Sequence, residues 1–166
     1  MTHLPSLLQK NPRLGSRYTL VELVNTGAKG AVFKAIEDAS ERVVAIKVLL
    51  QHEETGHGEE ERRHFLAGST LCTRLTHPNL VQTLEAGEDP HWGAYQVMEY
   101  LKGVLLSHKI KDNSLLPEQV ILEIGVQLAS VISYIHGEGM LHGDIKPENL
   151  FLVNSPEGEI KVKLMA

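Results

Sequence analysis

The stretch LHGDIKPENLFLV, residues 141–153, brings a histidine, an aspartate, a lysine and an asparagine together just ahead of a run of apolar residues. Asp144 and Asn149 stand five apart with Lys146 between them. In a loop, that spacing turns a carboxylate base, a cation and a metal-binding amide into one small volume, an arrangement suited to work on a phosphate. The bland alternative is a polar turn in which Asp144 and Asn149 bond their own backbone. It gives no reason for the Lys-Pro pair inside the loop.

Upstream, the chain changes character four times. Residues 1–16 carry Pro5, Asn11, Pro12 and Gly15 without a sustained period and read as a loosely ordered leader. From Tyr18, the segments YTLVELV, AVFKAIED and RVVAIKVLL are short, rich in β-branched residues and separated by NTGAKG and DASE, the pattern of hairpin-connected strands. The polar stretch QHEETGHGEEE leads into RRHFLAGSTLCTRL, where Phe65, Leu71, Cys72 and Leu75 recur at helical spacing until HPN breaks the pattern. LVQTLEAG and GAYQVMEYL then read as two further strands around EDPHWG, giving a five-stranded antiparallel sheet with one main helix. After Gly103 the period is helical again. Pro117 suits a first helical position, and Val120, Ile121, Ile124, Leu128, Val131, Ile132 and Ile135 form one face, ended by Gly137 and Gly139. The expected class is α+β.

Two features of the β-rich part add to the loop at 144. Gly27 and Gly30, in NTGAKGAVFKA, would let backbone N–H groups approach a phosphate with no Cβ in the way, although glycine in a hairpin turn is also ordinary. In VVAIK, alternation sends Val44 and Ile46 to one face and Ala45 and Lys47 to the other. A lysine among apolar neighbours implies a phosphate or carboxylate partner, unless it reaches solvent.

The totals narrow the classes. A formal charge of -5 offers no broad cationic surface, so nucleic acid is not an expected partner. Cys72, the single cysteine, cannot pair within the chain and reads as a buried thiol, which suits a reducing, cytoplasmic setting. The N-terminal residues lack a signal-like apolar run, and Glu123 and Gln127 interrupt the longest apolar helix, so no membrane segment is expected. His52, His57 and His64 share neither a helical face nor a zinc-binding spacing and read as solvated.

Taken in order, NTGAKGAV, VAIK, HPNLV, VMEYL and HGDIKPEN resemble the eukaryotic-type serine/threonine protein kinase family, from about Tyr18 to Met165. The resemblance implies a small lobe and hinge over residues 17–101 and part of a helical lobe, with its first helices and catalytic loop, over 102–166. It implies ATP and Mg²⁺ as cofactors and a protein carrying Ser or Thr as substrate. Asp144 would be the base, Lys146 would neutralise the transferring phosphoryl group, and Asn149 would hold a metal. Gly27, Gly30 and Lys47 would meet phosphates, and Val32 and Ala45 would cover the adenine from above, with Phe151 beneath. Met98 would be the gatekeeper, and the Glu99 carbonyl and Leu101 amide would bind the adenine edge. HGD is also similar to small-molecule kinases of the aminoglycoside and choline type, but Lys146 and Pro147 follow the protein kinase pattern.

The pattern is broken in places. Asn25 replaces the first loop glycine, Gly143 replaces an arginine, and Gly68 falls where the family's helix glutamate would pair with Lys47. Glu61, the nearest acid on that face, lies two turns away, roughly 10 Å along the axis. Ala166 occupies the position of the metal-binding aspartate of D-F-G. These departures lead to the expectation that the 166-residue chain alone has little transferase activity, with a nucleotide-binding or scaffolding module as the alternative, and that the helical face of Val120, Ile124, Leu128 and Val131 lacks part of its cover.

Overall fold

Strands begin where the alternating β-branched residues do. In the computed structural model, which describes residues 8–9, 12–27, 30–50, 58–112, 116–154 and 158–165, β2 (Tyr18–Gly27), β3 (Gly30–Glu37) and β4 (Arg42–Leu49) follow β1 (Arg13–Leu14) as antiparallel neighbours. Helix α1 (Gly58–Cys72), β5 (Thr83–Asp89) and β6 (Gly93–Glu99) come next. Two compact units result, one of Met1–Arg74 with Thr83–Tyr100 and one of Leu75–Gln82 with Leu101–Ala166.

The first unit is built on a sheet of order β1-β2-β3-β4-β6-β5. It has six strands where the sequence led to five, because residues read as leader supply β1. Leu14 is 1% exposed and sits in the core with Tyr18, Leu20, Phe33, Ile46, Val48 and Trp92. What orders this segment is a cluster at the β5–β6 turn. The Asp89 carboxylate accepts N–H bonds from Gly15 at 2.8 Å, His91 at 2.8 Å and Trp92 at 2.9 Å. The Trp92 indole N–H donates to the Arg13 carbonyl at 2.9 Å, and its ring meets Phe33 edge-on, 5.2 Å between centroids. Tyr18 and Tyr95 both donate to Glu85, at 3.0 and 2.9 Å. Side chains thus tie the β1–β2 edge to β5, and the sheet curls around its core.

Helix α1 departs from its expected face. Ser69 and Cys72 are its buried residues, while Leu71 is 45% exposed and Leu75 lies beyond the helix end. The helix closes before HPN, because Thr73 and Arg74 bond back three residues, to Thr70 and Leu71. Arg62 pairs with Glu59 of its own first turn and with Glu88 of β5, fastening the helix to the sheet.

The second unit contains β7 (Val104–Leu105), α2 (Leu106–Lys111), α3 (Glu118–Gly137), a 3₁₀ turn (Pro147–Asn149), β8 (Leu150–Asn154) and β9 (Ile160–Leu164). The last three strands form a small antiparallel sheet of order β7-β8-β9. Ile124, Val131 and Ile135 of α3 are buried with Leu75, Leu80, Leu150, Leu152, Val162 and Leu164, and Val120 and Leu128 pack against them. Of the face expected to lack part of its cover, Ile124 and Val131 are buried, while Val120 and Leu128 are only half-buried. The apolar residues that α3 leaves exposed are Ile121, Leu122 and Val126, at 55, 58 and 70%, so Ile121 leaves the expected face as well. By length and composition α3 is apolar enough to cross a membrane. Gln127, however, works as a strand partner: its Oε1 accepts from Val162 N–H and Asn79 Nδ2, and its Nε2 donates to the Ile160 carbonyl. Asn79 completes the arrangement by donating to the Val162 carbonyl at 2.9 Å.

Candidate active site

In the first unit, pairing places the predicted nucleotide-facing residues on one side of the sheet. Val32 lies directly opposite Lys47, and Ala45 directly opposite Met98. Side chains of cross-strand partners point the same way, and Ala45 and Lys47 are two apart, so these four share a face. Val44, Ile46 and Val48 take the other face and enter the core. Met98 is 4% exposed, while Glu99, which ends β6, is half-buried. Lys47 extends toward α1, its Nζ 5.9 Å from the centre of the Phe65 ring.

The two glycines behave differently. They are cross-strand partners at the β2–β3 turn. A Cβ on Gly30 would come within 2.8 Å of the Val48 carbonyl oxygen, whereas one on Gly27 would meet nothing within 4 Å. Gly30 is thus required by strand packing whatever binds above it, whereas packing among the described residues makes no such demand at Gly27. Ala28 and Lys29, at the tip, lie outside the described residues.

In the second unit, Asp144, Lys146 and Asn149 form a closed loop. Lys146 Nζ meets Asp144 Oδ2 at 2.8 Å. Asn149 Nδ2 donates to the Asp144 carbonyl at 2.8 Å and to its Oδ2 at 2.9 Å, and Asn149 N–H donates to the Lys146 carbonyl at 2.9 Å. His142 props the loop from behind: its Nδ1 accepts Asp144 N–H at 3.2 Å, and its Nε2 lies 2.6 Å from the Met165 carbonyl. Gly143 has φ +75°, a left-handed conformation that glycine adopts without Cβ strain. The Asp144 carboxylate is held below its ordinary range, first by Lys146 and then by Asn149, so it is ionised at neutral pH. Phe151 follows on β8, half-buried and paired with Leu105 and Lys163.

These geometries coincide with a family match. Residues 18–165 match the family described as protein kinase domain. The chain belongs to the protein kinase family.

Similar kinases include a probable serine/threonine-protein kinase of Clostridium perfringens, 36% identical over 149 residues, which are 90% of this chain and 21% of that protein. PrkC, a serine/threonine-protein kinase of Bacillus subtilis, is 32% identical over 150 residues, 90% of this chain and 22% of PrkC. The chain thus spans about a fifth of the length of these curated relatives. Among solved structures, the PknI kinase domain of Mycobacterium tuberculosis superimposes with a TM-score of 0.76 at 26% identity, over 93% of this chain and 60% of that one. Rad53 in complex with AMP-PNP gives 0.75 at 26% identity, over 90% of this chain and 38% of that one. The protein-kinase-like α+β fold is the one expected from the sequence, with β1 as an additional strand.

Gly68, expected from the sequence to stand where a helix glutamate would be, lies on α1, and among the described residues a Cβ there would meet nothing within 4 Å. Glu61 is exposed. Among the described residues no group of three or more His, Cys, Asp or Glu side chains could hold a metal. The oxygens that suit Mg²⁺ are the Asp144 carboxylate and the Asn149 side-chain carbonyl, which is left over once Nδ2 has turned to Asp144. They fit as part of an oxygen set. Ala166 lies outside the described residues, as do His52 and His57, while His64 is exposed. Leu101, the other expected adenine partner, is half-buried at the start of the second unit. Sequence reasoning missed Phe65 as a neighbour of Lys47, because a phenylalanine at helical spacing signals core packing and nothing more.

Proposed function

We propose that this chain carries ATP-dependent phosphoryl transfer to serine or threonine hydroxyls of protein substrates. The observation that carries the reading is the Asp144–Lys146–Asn149 loop, closed by its own bonds around an ionised carboxylate. Asp144 would orient the substrate hydroxyl and accept its proton. As the hydroxyl oxygen bonds to the γ-phosphorus, the bond to the β,γ-bridging oxygen breaks, and ADP leaves with that electron pair. Lys146 would stabilise the charge on the transferring group. Lys47 would contact the α- and β-phosphates. Val32, Ala45 and Met98 would present an apolar surface to the adenine, with Phe151 as a further apolar contact and the Glu99 carbonyl and Leu101 N–H as its hydrogen-bonding partners.

Asn149 would hold Mg²⁺, whose role is to neutralise phosphate oxygens. The cytoplasm is the proposed setting, in keeping with the buried thiol of Cys72. The test is transfer of radiolabelled γ-phosphate to Ser- and Thr-containing peptides. Label transfer, slight in the 166-residue chain alone, is expected to disappear in Asp144→Ala, and transfer unaffected by that change sinks the proposal. A second reading, a nucleotide-binding scaffold without transfer, is favoured by the missing carboxylate at Gly68. ATP-dependent thermal stabilisation that Lys47→Ala abolishes, with no label transfer at any substrate concentration, would select it.

A further inference from the structure

Asn25, expected from the sequence to stand at the first glycine of a phosphate loop, is carried by the sheet into the row of the strand lysine. A register shift between Leu23 and Asn25 inserts an extra residue into β2, so Asn25 comes directly opposite Val32 of β3. Val32 in turn lies directly opposite Lys47 of β4. Cross-strand partners point to the same side, so Asn25, Val32 and Lys47 form one row over three strands. Phe33 and Ile46, their neighbours on β3 and β4, take the other face and are fully buried.

The backbone at this position does not call for glycine. Among the described residues, Glu41 is the one non-glycine residue with a positive φ, so Asn25 keeps an ordinary conformation. Its side chain is exposed, and its Oδ1 accepts the Thr26 N–H at 2.9 Å. Only the carbonyl end of a carboxamide can meet an N–H, so this bond fixes which end is which. The Nδ2 group, with two donors, has no partner among the described residues.

We propose that Asn25 is a nucleotide-binding residue, its Nδ2 donating to an oxygen of the ribose–phosphate portion. The inference rests on the reading that the face of Val32 and Lys47 holds a nucleotide. Glycine lets the backbone approach a ligand and offers only its own N–H. Asparagine fills that space, so its side chain must either crowd the ligand or bond to it. The ribose–phosphate portion is dense in acceptor oxygens, and two N–H donors without partners suit it. The bond from Thr26 holds the carboxamide in one orientation beforehand, which lowers the cost of ordering it when the ligand arrives.

The experiment titrates the whole chain with ATP and Mg²⁺ and, separately, with AMP and with adenosine. Asn25→Gly separates the two roles by sign: removing a side chain that crowds tightens binding, and removing one that donates weakens it. We expect ATP binding about threefold to tenfold weaker in Asn25→Gly and Asn25→Ala, the loss of one hydrogen bond. Asn25→Asp should lose more, because it keeps the acceptor for Thr26 but has no N–H to give and repels phosphate. Since Asn25 is exposed, the ligand-free variants should melt close to the parent.

A loss shared by adenosine assigns the acceptor to the ribose, and a loss confined to AMP and ATP assigns it to a phosphate. In ¹⁵N spectra the Asn25 carboxamide signals, assigned by their disappearance in Asn25→Ala, should move when ATP is added. Signals that stay in place at saturating ATP would overturn the proposal. Equal or tighter binding of all three ligands by Asn25→Gly would overturn it while leaving nucleotide binding intact. A parent chain that binds none of the three would overturn this inference and the functional reading together.

Discussion

The Asn149 carboxamide donates to both the carbonyl oxygen and the carboxylate of Asp144, at 2.8 and 2.9 Å, and so holds the two ends of a six-residue loop together from a single side chain. Asp144 remains solvent-accessible, with 61% of its side chain exposed. The loop is fixed while the carboxylate stays open to a substrate.

Asn149→Ala should release that carboxylate. Its pKa, depressed from the ordinary 3.8, is expected to move upward, as a carboxyl-resolved NMR titration would show. Because the folded-state pKa lies below the unfolded one, the Asp144 contacts favour the fold above the unfolded pKa and cease to do so as pH falls through the depressed value. Label transfer should fall by about 100-fold or more, since positioning carries most of the catalysis.

Asp89→Ala strips acceptors from the N–H groups of Gly15, His91 and Trp92 at once. A loss of about 3 kcal/mol is expected by denaturant unfolding, with β1 released first. Burial raises the Asp89 pKa, but the backbone bonds outweigh it and the net displacement is downward. Its contribution should accordingly be complete at pH 7 and vanish as pH drops below the ordinary carboxylate range. Equal acid sensitivity in Asp89→Asn and the parent would contradict this.

Gln127→Leu keeps the bulk and the apolar character of α3 but leaves Val162 N–H and the Ile160 carbonyl without their partner. We expect about 2–4 kcal/mol of destabilisation in urea. If Gln127 were only an interruption in an apolar helix, the same change would stabilise the chain.

Gly30→Ala and Gly27→Ala form a matched pair. The first forces a Cβ against the Val48 carbonyl and should cost about 1–3 kcal/mol. The second meets no atom and should leave the melt within about 0.5 kcal/mol of the parent. ATP titration is expected to show weaker binding for Gly27→Ala, with an unchanged melting temperature.

Much of this was written in local sequence. The order of the glycine turn, the strand lysine, HPN and HGDIKPEN gave the fold class, because each motif needs only its own neighbours to be read. Alternation in VVAIK set the face of Lys47, and pairing with β3 and β6 then brought Val32 and Met98 beside it. Asp144 and Asn149 were legible because a loop of that length can close only on itself.

Other features waited for the tertiary structure, and for one reason: their partners lie far away in the chain. Arg13 and Leu14 form a strand because Trp92 donates to the Arg13 carbonyl and shares a core with Leu14, while Asp89 holds the N–H of the following Gly15, both partners some 75 residues on. Gln127 looked like a break in an apolar face and proved to be the partner of a strand 35 residues later. Phe65 carried no sign that it would meet a lysine. Periodicity reports which side of an element is buried; only packing decides what stands opposite, and that choice turned an aromatic helix residue into a neighbour of the ammonium at position 47.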